Sequence, residues 1–430
     1  MELTITSLFQ TARRPIVQKI LSAMFTQGLL SVSNFAIGLA IAKYAPKSEY
    51  AMFVILFSII GIVGNYQNAL INTPLAVLFH KKESTEKALF LSGLGFGQWL
   101  LFFPFVILTL IVTVTYSFIY QEFSILKYVM ILSIATLAYL LREFVRSVNY
   151  SKMRIDLIIK MDILFICCVA IGLWLLIAFH SVTSSFSITV LGIGYFISAI
   201  FEYFYARDVY IFNWQSIKKA FAETWQYSSW SLLSVSTYML QSRGYIYIIS
   251  ALLGLNELAD ISAAKLFMMP LGLAIQSSNK IILAKGCEVL NVGHDGISRF
   301  KKFILSMTCF LVILWVIYVL FLWSSHRLFV TYALGDKYSN LDGFILLWGL
   351  FFLVEILRFP INRALMVCKE FKVLANYDII SAIITTMACF ILTGTMRGPG
   401  AIVALIVGEL TLLLFNLSRL RIFFKQKKLN

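Results

Sequence analysis

Twelve continuously apolar stretches run along this chain, near residues 19–43, 51–78, 88–115, 125–141, 156–179, 184–206, 227–252, 257–284, 303–323, 341–360, 374–393 and 399–418. A helix needs about 20 such residues to cross a hydrocarbon core of about 30 Å, so each stretch accounts for one passage. Strands do not fit, because a membrane barrel is built from segments of about ten residues that alternate apolar and polar positions. In lipid every backbone amide must be satisfied, and a helix does so within its own segment. The pattern predicts an all-α polytopic membrane protein of about 12 transmembrane helices.

The polar positions between the stretches sort by charge. With the N-terminus on the cytoplasmic side, 28 of the 36 lysines and arginines fall in tails and inner connections, among them Arg142, Arg146, Arg358 and Arg363. The outer connections hold only Lys43, Lys47, Lys127, Arg327, Lys337 and Arg397, while Arg243 and Lys265 lie inside apolar stretches. Such an excess fixes orientation in multi-pass proteins and predicts that both termini are cytoplasmic. Arg13, Arg14 and Lys19 precede a first stretch that is too long for a signal h-region and lacks a small-residue cleavage site. It is expected to stay as an uncleaved first helix after a short interfacial amphipathic one.

Every outer connection is short, roughly 4 to 17 residues, which leaves no room for a folded domain outside. The longest polar inner connections are 207–226 and 285–302, and the first divides the chain into six stretches plus six. This predicts an N-terminal six-helix lobe over 1–206, a cytoplasmic linker over 207–226 and a C-terminal six-helix lobe over 227–430. Six-helix lobes repeat in parallel orientation. An internal echo agrees: Leu29-Leu30-Ser31-Val32-Ser33 returns as Leu232-Leu233-Ser234-Val235-Ser236, and Pro74-Leu75 in the second stretch returns as Pro270-Leu271 in the eighth.

Composition strengthens the membrane reading. Of 430 residues 60% are hydrophobic and 13% charged, with mean hydropathy +0.85, more apolar surface than a water-soluble fold of this size hides. The formal charge of +15 is spread between apolar runs and forms no single patch, so nucleic acid is not an expected partner. The histidines are isolated and the six cysteines show no CxxC spacing; neither a metal nor a disulfide framework is expected. No GxxxxGK[ST] loop occurs, and no catalytic constellation is visible, so the chain is not expected to be an enzyme or to hold a cofactor.

The candidate chemistry lies within the helices. Arg243 and Lys265 fall at comparable depth in the seventh and eighth segments, and a cation at mid-helix costs roughly 2.5 to 3.5 kcal/mol on insertion scales. No acid lies one turn away, so a water-filled cavity that receives an anion is the expectation, with snorkelling to the outer interface as the alternative. Amides and hydroxyls gather in the leading helices of both halves, including Asn34, Asn65, Gln67, Asn68, Asn72 and Gln241. They face either a wet cleft suited to sugars or neighbouring helices as polar glue. Glu355 and Arg358, three residues apart, are expected to form a structural ion pair on one helix face. Glu409, mid-segment, is the stronger candidate for ion coupling, with Glu355 second and a structural hydrogen bond as its alternative role. Arg142 and Arg146 read either as part of a cytoplasmic gate or as ordinary inner anchors. Gly93, Gly95, Gly97, Gly192 and Gly194 read as sites of close helix packing.

The runs QGLLSVSNFAIGLAIAKYAPKSEY from Gln27, AMFVILFSIIGIVGNYQNALINTPLAV after it, SSWSLLSVSTYMLQSRGYIYIISALLGLNELADISAAKLFMMPLGLAIQ in the second half and GPGAIVALIVGELTLLLFNLSRL near the end carry a resemblance. In texture, helix count and split the chain resembles the polysaccharide (O-antigen) flippases of Wzx type in the multidrug/oligosaccharidyl-lipid/polysaccharide exporter superfamily. The resemblance implies a MATE/MOP-like fold in the bacterial cytoplasmic (inner) membrane. It implies transport of a polyprenyl-diphosphate-linked oligosaccharide by alternating access, with membrane lipids and other glycan-assembly membrane proteins as partners. It also implies a cationic lumen for the diphosphate, a part open here to Arg243 and Lys265. The first half departs from the family in offering amides but no buried basic residue in its two leading helices.

Other functions compete. A drug/cation antiporter of the same superfamily is expected to carry an acid deep in its first helices, and none lies deep in the first four here. A major facilitator shows a basic, glycine-containing signature between helices 2 and 3, which HKKESTEKAL is not. A polysaccharide polymerase or glycosyltransferase needs a substantial outer loop.

Overall fold

The computed structural model describes residues 15–206, 210–290, 296–338 and 341–429. The expected amphipathic segment before residue 15, residues 207–209 of the expected linker and residues 291–295 of the second inner connection lie outside these. The described residues form helices α1 (Pro15–Tyr44), α2 (Lys47–Gln67), α3 (Thr73–Leu78), α4 (Ser84–Tyr120), α5 (Ser124–Ser151), α6 (Ile155–Ala178) and α7 (Ser184–Ala206). There follow α8 (Trp214–Leu252), α9 (Leu255–Leu266), α10 (Met269–Leu290), α11 (Gly296–Leu334), α12 (Asp342–Val367), α13 (Phe371–Met396) and α14 (Gly398–Leu429). By length and composition nine helical stretches among the described residues can cross a membrane, or ten when the bent pair α9–α10 counts as one passage. The first and seventh expected segments fall on α1 and α8.

The chain divides into two compact units. One comprises the described residues through Ile41 with Leu56–Val235, the other Ala42–Ile55 with the described residues from Ser236 onward. Most of the expected linker is not a loop: residues 214–226 are the first turns of α8. They pack on α4, where a Cβ added at Gly93 would lie 2.6 Å from the Ser216 carbonyl oxygen and one at Gly97 would strike the Phe221 ring. Ser92 Oγ accepts the amide of Ile211 at 3.0 Å, and Lys82 pairs with Glu223 at 2.6 Å. Only glycine admits this approach, which is why the Gly93–Gly97 run sits where it does.

Both prolines of the internal echo interrupt their helices, for one reason. Proline has no N–H, so the carbonyl four residues earlier loses its donor. Before Pro74 the backbone widens into a π-helical turn over Asn68–Asn72, and the orphaned Leu70 carbonyl accepts the Ser228 hydroxyl of α8 at 3.1 Å. Before Pro270 the expected single segment 257–284 breaks outright, bending by 56° between α9 and α10. At the break the Leu271 amide turns to the Met268 carbonyl at 3.1 Å, and the Tyr318 hydroxyl donates to the Phe267 carbonyl that this leaves open, as backbone at membrane depth requires.

Residues 42–55 join the second unit through lysines. Lys337 Nζ donates to the carbonyls of Lys43, at 2.9 Å, and Ala45, while Lys43 Nζ donates to the Tyr332 carbonyl at 2.8 Å. Each helix C-terminus, of α1 and of α11, leaves carbonyls without intrahelical donors, and a lysine following or ending the other helix satisfies them. Lys47 adds an ion pair to Asp260 at 2.6 Å.

Candidate functional site

The first unit holds the amide-rich segment. Gln67 is fully buried and donates to Gln98 Oε1 at 2.9 Å and to the Leu140 carbonyl at 2.6 Å, so this amide joins helices. Asn65 donates to Gly61 within its own helix at 2.7 Å. Asn68 and Asn34 are exposed on the unit's surface, Asn68 on the π-helical turn. Non-α turns of this kind recur at functional sites.

Arg142 and Arg146 are not surface anchors. They lie within α5, buried, with 2% and 9% of their surface exposed. Arg142 Nη2 donates to Asp162 Oδ1 at 2.6 Å and Arg146 Nη2 to Asp162 Oδ2 at 3.2 Å. Glu143 completes the cluster at 2.7 Å from Arg142. The Arg142 guanidinium also lies over the Phe165 ring, 4.5 Å from its centroid. Two cations and two acids make a neutral set, which is what a low-dielectric interior tolerates.

In the second unit, Lys265 ends α9 just before the break. Its ammonium donates to the Tyr245 hydroxyl at 3.2 Å and stands 5.1 Å and 4.6 Å from the Tyr245 and Trp348 ring centroids. Trp348 is itself wholly buried and fixed by its indole N–H on the Ile261 carbonyl at 3.0 Å. The lysine is thus half-buried in an aromatic niche, and it makes no ion pair with a described acid. Arg243, two residues before Tyr245 on α8, is half-buried and likewise pairs with no acid among the described residues. No hydrogen bond joins it to Lys265.

Gln241 is drawn toward the acidic candidates. Its Nε2 donates to Ser381 Oγ at 3.2 Å, and Ser381 donates to the Gly408 carbonyl at 2.9 Å. The next residue, Glu409, pairs with Arg358 of α12, whose Nε and Nη2 both donate to it, the latter at 3.4 Å. The expected Glu355–Arg358 pair is therefore corrected: Arg358 reaches across to α14, because a carboxylate facing its guanidinium binds in two-pronged fashion that the same-helix neighbour does not match. Glu355 is half-buried one turn away. Asp378 of α13, half-buried, is a third acid in electrostatic reach of Arg358.

Asp162 and Asp378 were not singled out by sequence reasoning. Each lies near the start of an apolar run, where an acid reads as a segment end. The available signal was spacing, since Arg142–Asp162 and Arg358–Asp378 are both 20 residues apart.

No family model matches the chain, and no curated protein matches it. Solved structures do. The Lipid II flippase MurJ in an inward closed conformation superposes with TM-score 0.65 at 14% identity, covering 94% of this chain and 87% of its own. An inward-facing multidrug resistance MATE family transporter of the MOP superfamily gives TM-score 0.67 at 13% identity, covering 93% and 95%. The fold is that of the MOP superfamily transporters. A third such structure, a MOP superfamily transporter from Pyrococcus furiosus described as having a binding pocket of reverse polarity, gives 0.61 at 10% identity and covers 96% of each chain. At these identities the likeness concerns the fold, which agrees with the all-α, MATE/MOP-like expectation.

Proposed function

We propose that this protein is a flippase that carries a polyprenyl-diphosphate-linked oligosaccharide across the bacterial cytoplasmic membrane by alternating access, with both termini cytoplasmic. The observation that carries the reading is Lys265: a membrane-embedded cation held in place by a hydroxyl and two aromatic rings, which makes no ion pair with an acid among the described residues and has Glu355 only at longer electrostatic reach. A charge kept in that setting favours an anionic ligand, and a diphosphate is the anion of such a cargo. Arg243 supplies the second cation. In the same unit Gln241 offers an amide donor and acceptor that suit sugar hydroxyls, and within the first unit, taken by itself, the exposed Asn34 and Asn68 and the half-buried Asn65 are amides of the same kind. The shared fold with a protein titled Lipid II flippase supports a lipid-linked cargo.

A second reading rests on a different observation. Glu355, Asp378 and Glu409 gather around Arg358 in the second unit, and acids at such depth serve as proton or cation carriers. A cation-coupled antiporter uses such groups, and the fold is shared with structures described as multidrug resistance MATE family transporters; in the flippase reading Glu409 and Glu355 are the coupling groups.

Reconstituted vesicles separate the two. A flippase moves a fluorescent polyprenyl-diphosphate oligosaccharide between leaflets, and Lys265→Ala or Arg243→Ala is expected to reduce that rate about tenfold or more, the loss of one charge-assisted contact. Undiminished movement in both variants removes the anion site. Extrusion of organic cations with no lipid movement selects the antiporter.

A further inference from the structure

The turns of the α5–α6 and α12–α13 hairpins share one backbone hydrogen-bond register. In the first turn the amides of Lys152, Met153, Arg154 and Ile158 donate to the carbonyls of Val148, Tyr150, Asn149 and Arg154. In the second, those of Cys368, Lys369, Glu370 and Leu374 donate to Ala364, Met366, Leu365 and Glu370. Adding 216 to each number of the first set gives the second. The left-handed residue keeps the register, Met153 at φ 57° and Lys369 at φ 63°. The same displacement carries Arg142 onto Arg358 and Asp162 onto Asp378.

The partners diverge. In the first unit Arg142 holds Asp162, Arg146 supports the same carboxylate and Glu143 balances the charge. The positions corresponding to Glu143 and Arg146 are Phe359 and Asn362, so the second unit lacks the two side chains that close the first cluster. Arg358 instead pairs with Glu409. Asp378 is left half-buried, with no hydrogen bond or ion pair to a described residue. The guanidinium groups of Arg358 and Arg363 lie in its electrostatic reach without pairing with it, and a carboxylate in a membrane-spanning helix without a direct partner is costly. A guanidinium, with five donors, can serve either acid.

We propose that Arg358 is a switching cation that exchanges between Glu409 on α14, the partner it holds here, and Asp378 on α13, the partner its counterpart holds in the first unit. The exchange is a two-state element within the second unit. Ser381 transmits it. This hydroxyl follows Asp378 by one turn, bonds the carbonyl beside Glu409 and accepts the amide of Gln241, so a shift of α13 against α14 is felt on α8, the helix of Arg243. The first unit, with its cluster closed, stays fixed. The inference concerns the second unit alone and does not depend on which cargo is carried.

A double-mutant cycle on the full-length protein in nanodiscs tests it, with the thermal midpoint as readout. Asp378→Asn alone is expected to shift the midpoint little, since Arg358 keeps Glu409. In a Glu409→Gln background the same change removes the acid to which Arg358 turns, leaving Glu355 on its own helix near it, and is expected to shift the midpoint several-fold further. Equal shifts in both backgrounds mean that Arg358 never visits Asp378 and overturn the proposal. Glu409→Asp, which shortens the first partner without discharging it, gives the same comparison should the glutamine variant not fold. Backbone hydrogen exchange reads the switch independently of stability. Weakening Glu409 is expected to slow exchange over residues 374–382 as Arg358 docks there, and unchanged or faster exchange overturns it.

Discussion

Arg142 and Asp162 meet at 2.6 Å between α5 and α6, with 3% and 0% of their side chains exposed. Removing one charge of a buried pair strands the other in low dielectric, which costs about 3 to 5 kcal/mol. Asp162→Asn is therefore expected to lower the thermal midpoint strongly, and a midpoint within about 1 °C of the parent's would show the cluster to be solvated.

The α4–α8 contact predicts a contrast between two glycines. Gly93→Ala drives a methyl against the backbone carbonyl of Ser216, and overpacking of that kind costs about 1 to 3 kcal/mol. Gly394, in α13, has no atom within 4 Å of its would-be Cβ, so Gly394→Ala is expected to be neutral or stabilising by up to about 1 kcal/mol. Melting curves of the two variants in detergent check both signs.

Ser228 and Pro74 are coupled through the Leu70 carbonyl. Ser228→Ala removes that carbonyl's hydrogen bond, a loss of about 1 kcal/mol. In a Pro74→Ala background residue 74 regains its N–H, the turn over 68–72 can close as α-helix, and the same change is expected to cost less. Identical costs in both backgrounds would disprove the link.

Lys337 predicts a pH dependence. Burial, and then the charge of Lys47, hold its ammonium below the ordinary lysine value of 10.5. The folded protein thus releases this proton at lower pH than the unfolded chain, so stability rises with pH as the solution approaches 10.5 from below. Lys337→Met is expected to flatten that rise. Labelling by an amine-directed reagent at about pH 9, read by mass spectrometry, is expected to fall on the neutral amine in proportion to the shift, after correction for exposure against Lys372.

The helices were legible because the lipid leaves no other solution for long apolar runs, and the close-packing glycines because a missing side chain marks a missing gap. The breaks at Pro74 and Pro270 were visible only as an echo, since a proline inside a membrane helix is compatible with a kink, a π turn or a full break, and the choice depends on which neighbour caps the freed carbonyl. The pairing of charges was the least legible. Arg358 has an acid three residues before it and another 51 residues on, and it takes the distant one. Sequence spacing describes a single helix, whereas that choice is made between helices.

The mutual capping of Lys43 and Lys337 has a consequence for anyone dividing this gene. The elbow between α1 and α2 is encoded at the start of the message yet belongs to the later unit, so a cut at the midpoint does not yield two self-sufficient products. A C-terminal fragment beginning at Ser236 would expose the helix end and the lysine that the elbow normally covers. Co-expression with the N-terminal piece, rather than either piece alone, is the arrangement in which split halves should assemble.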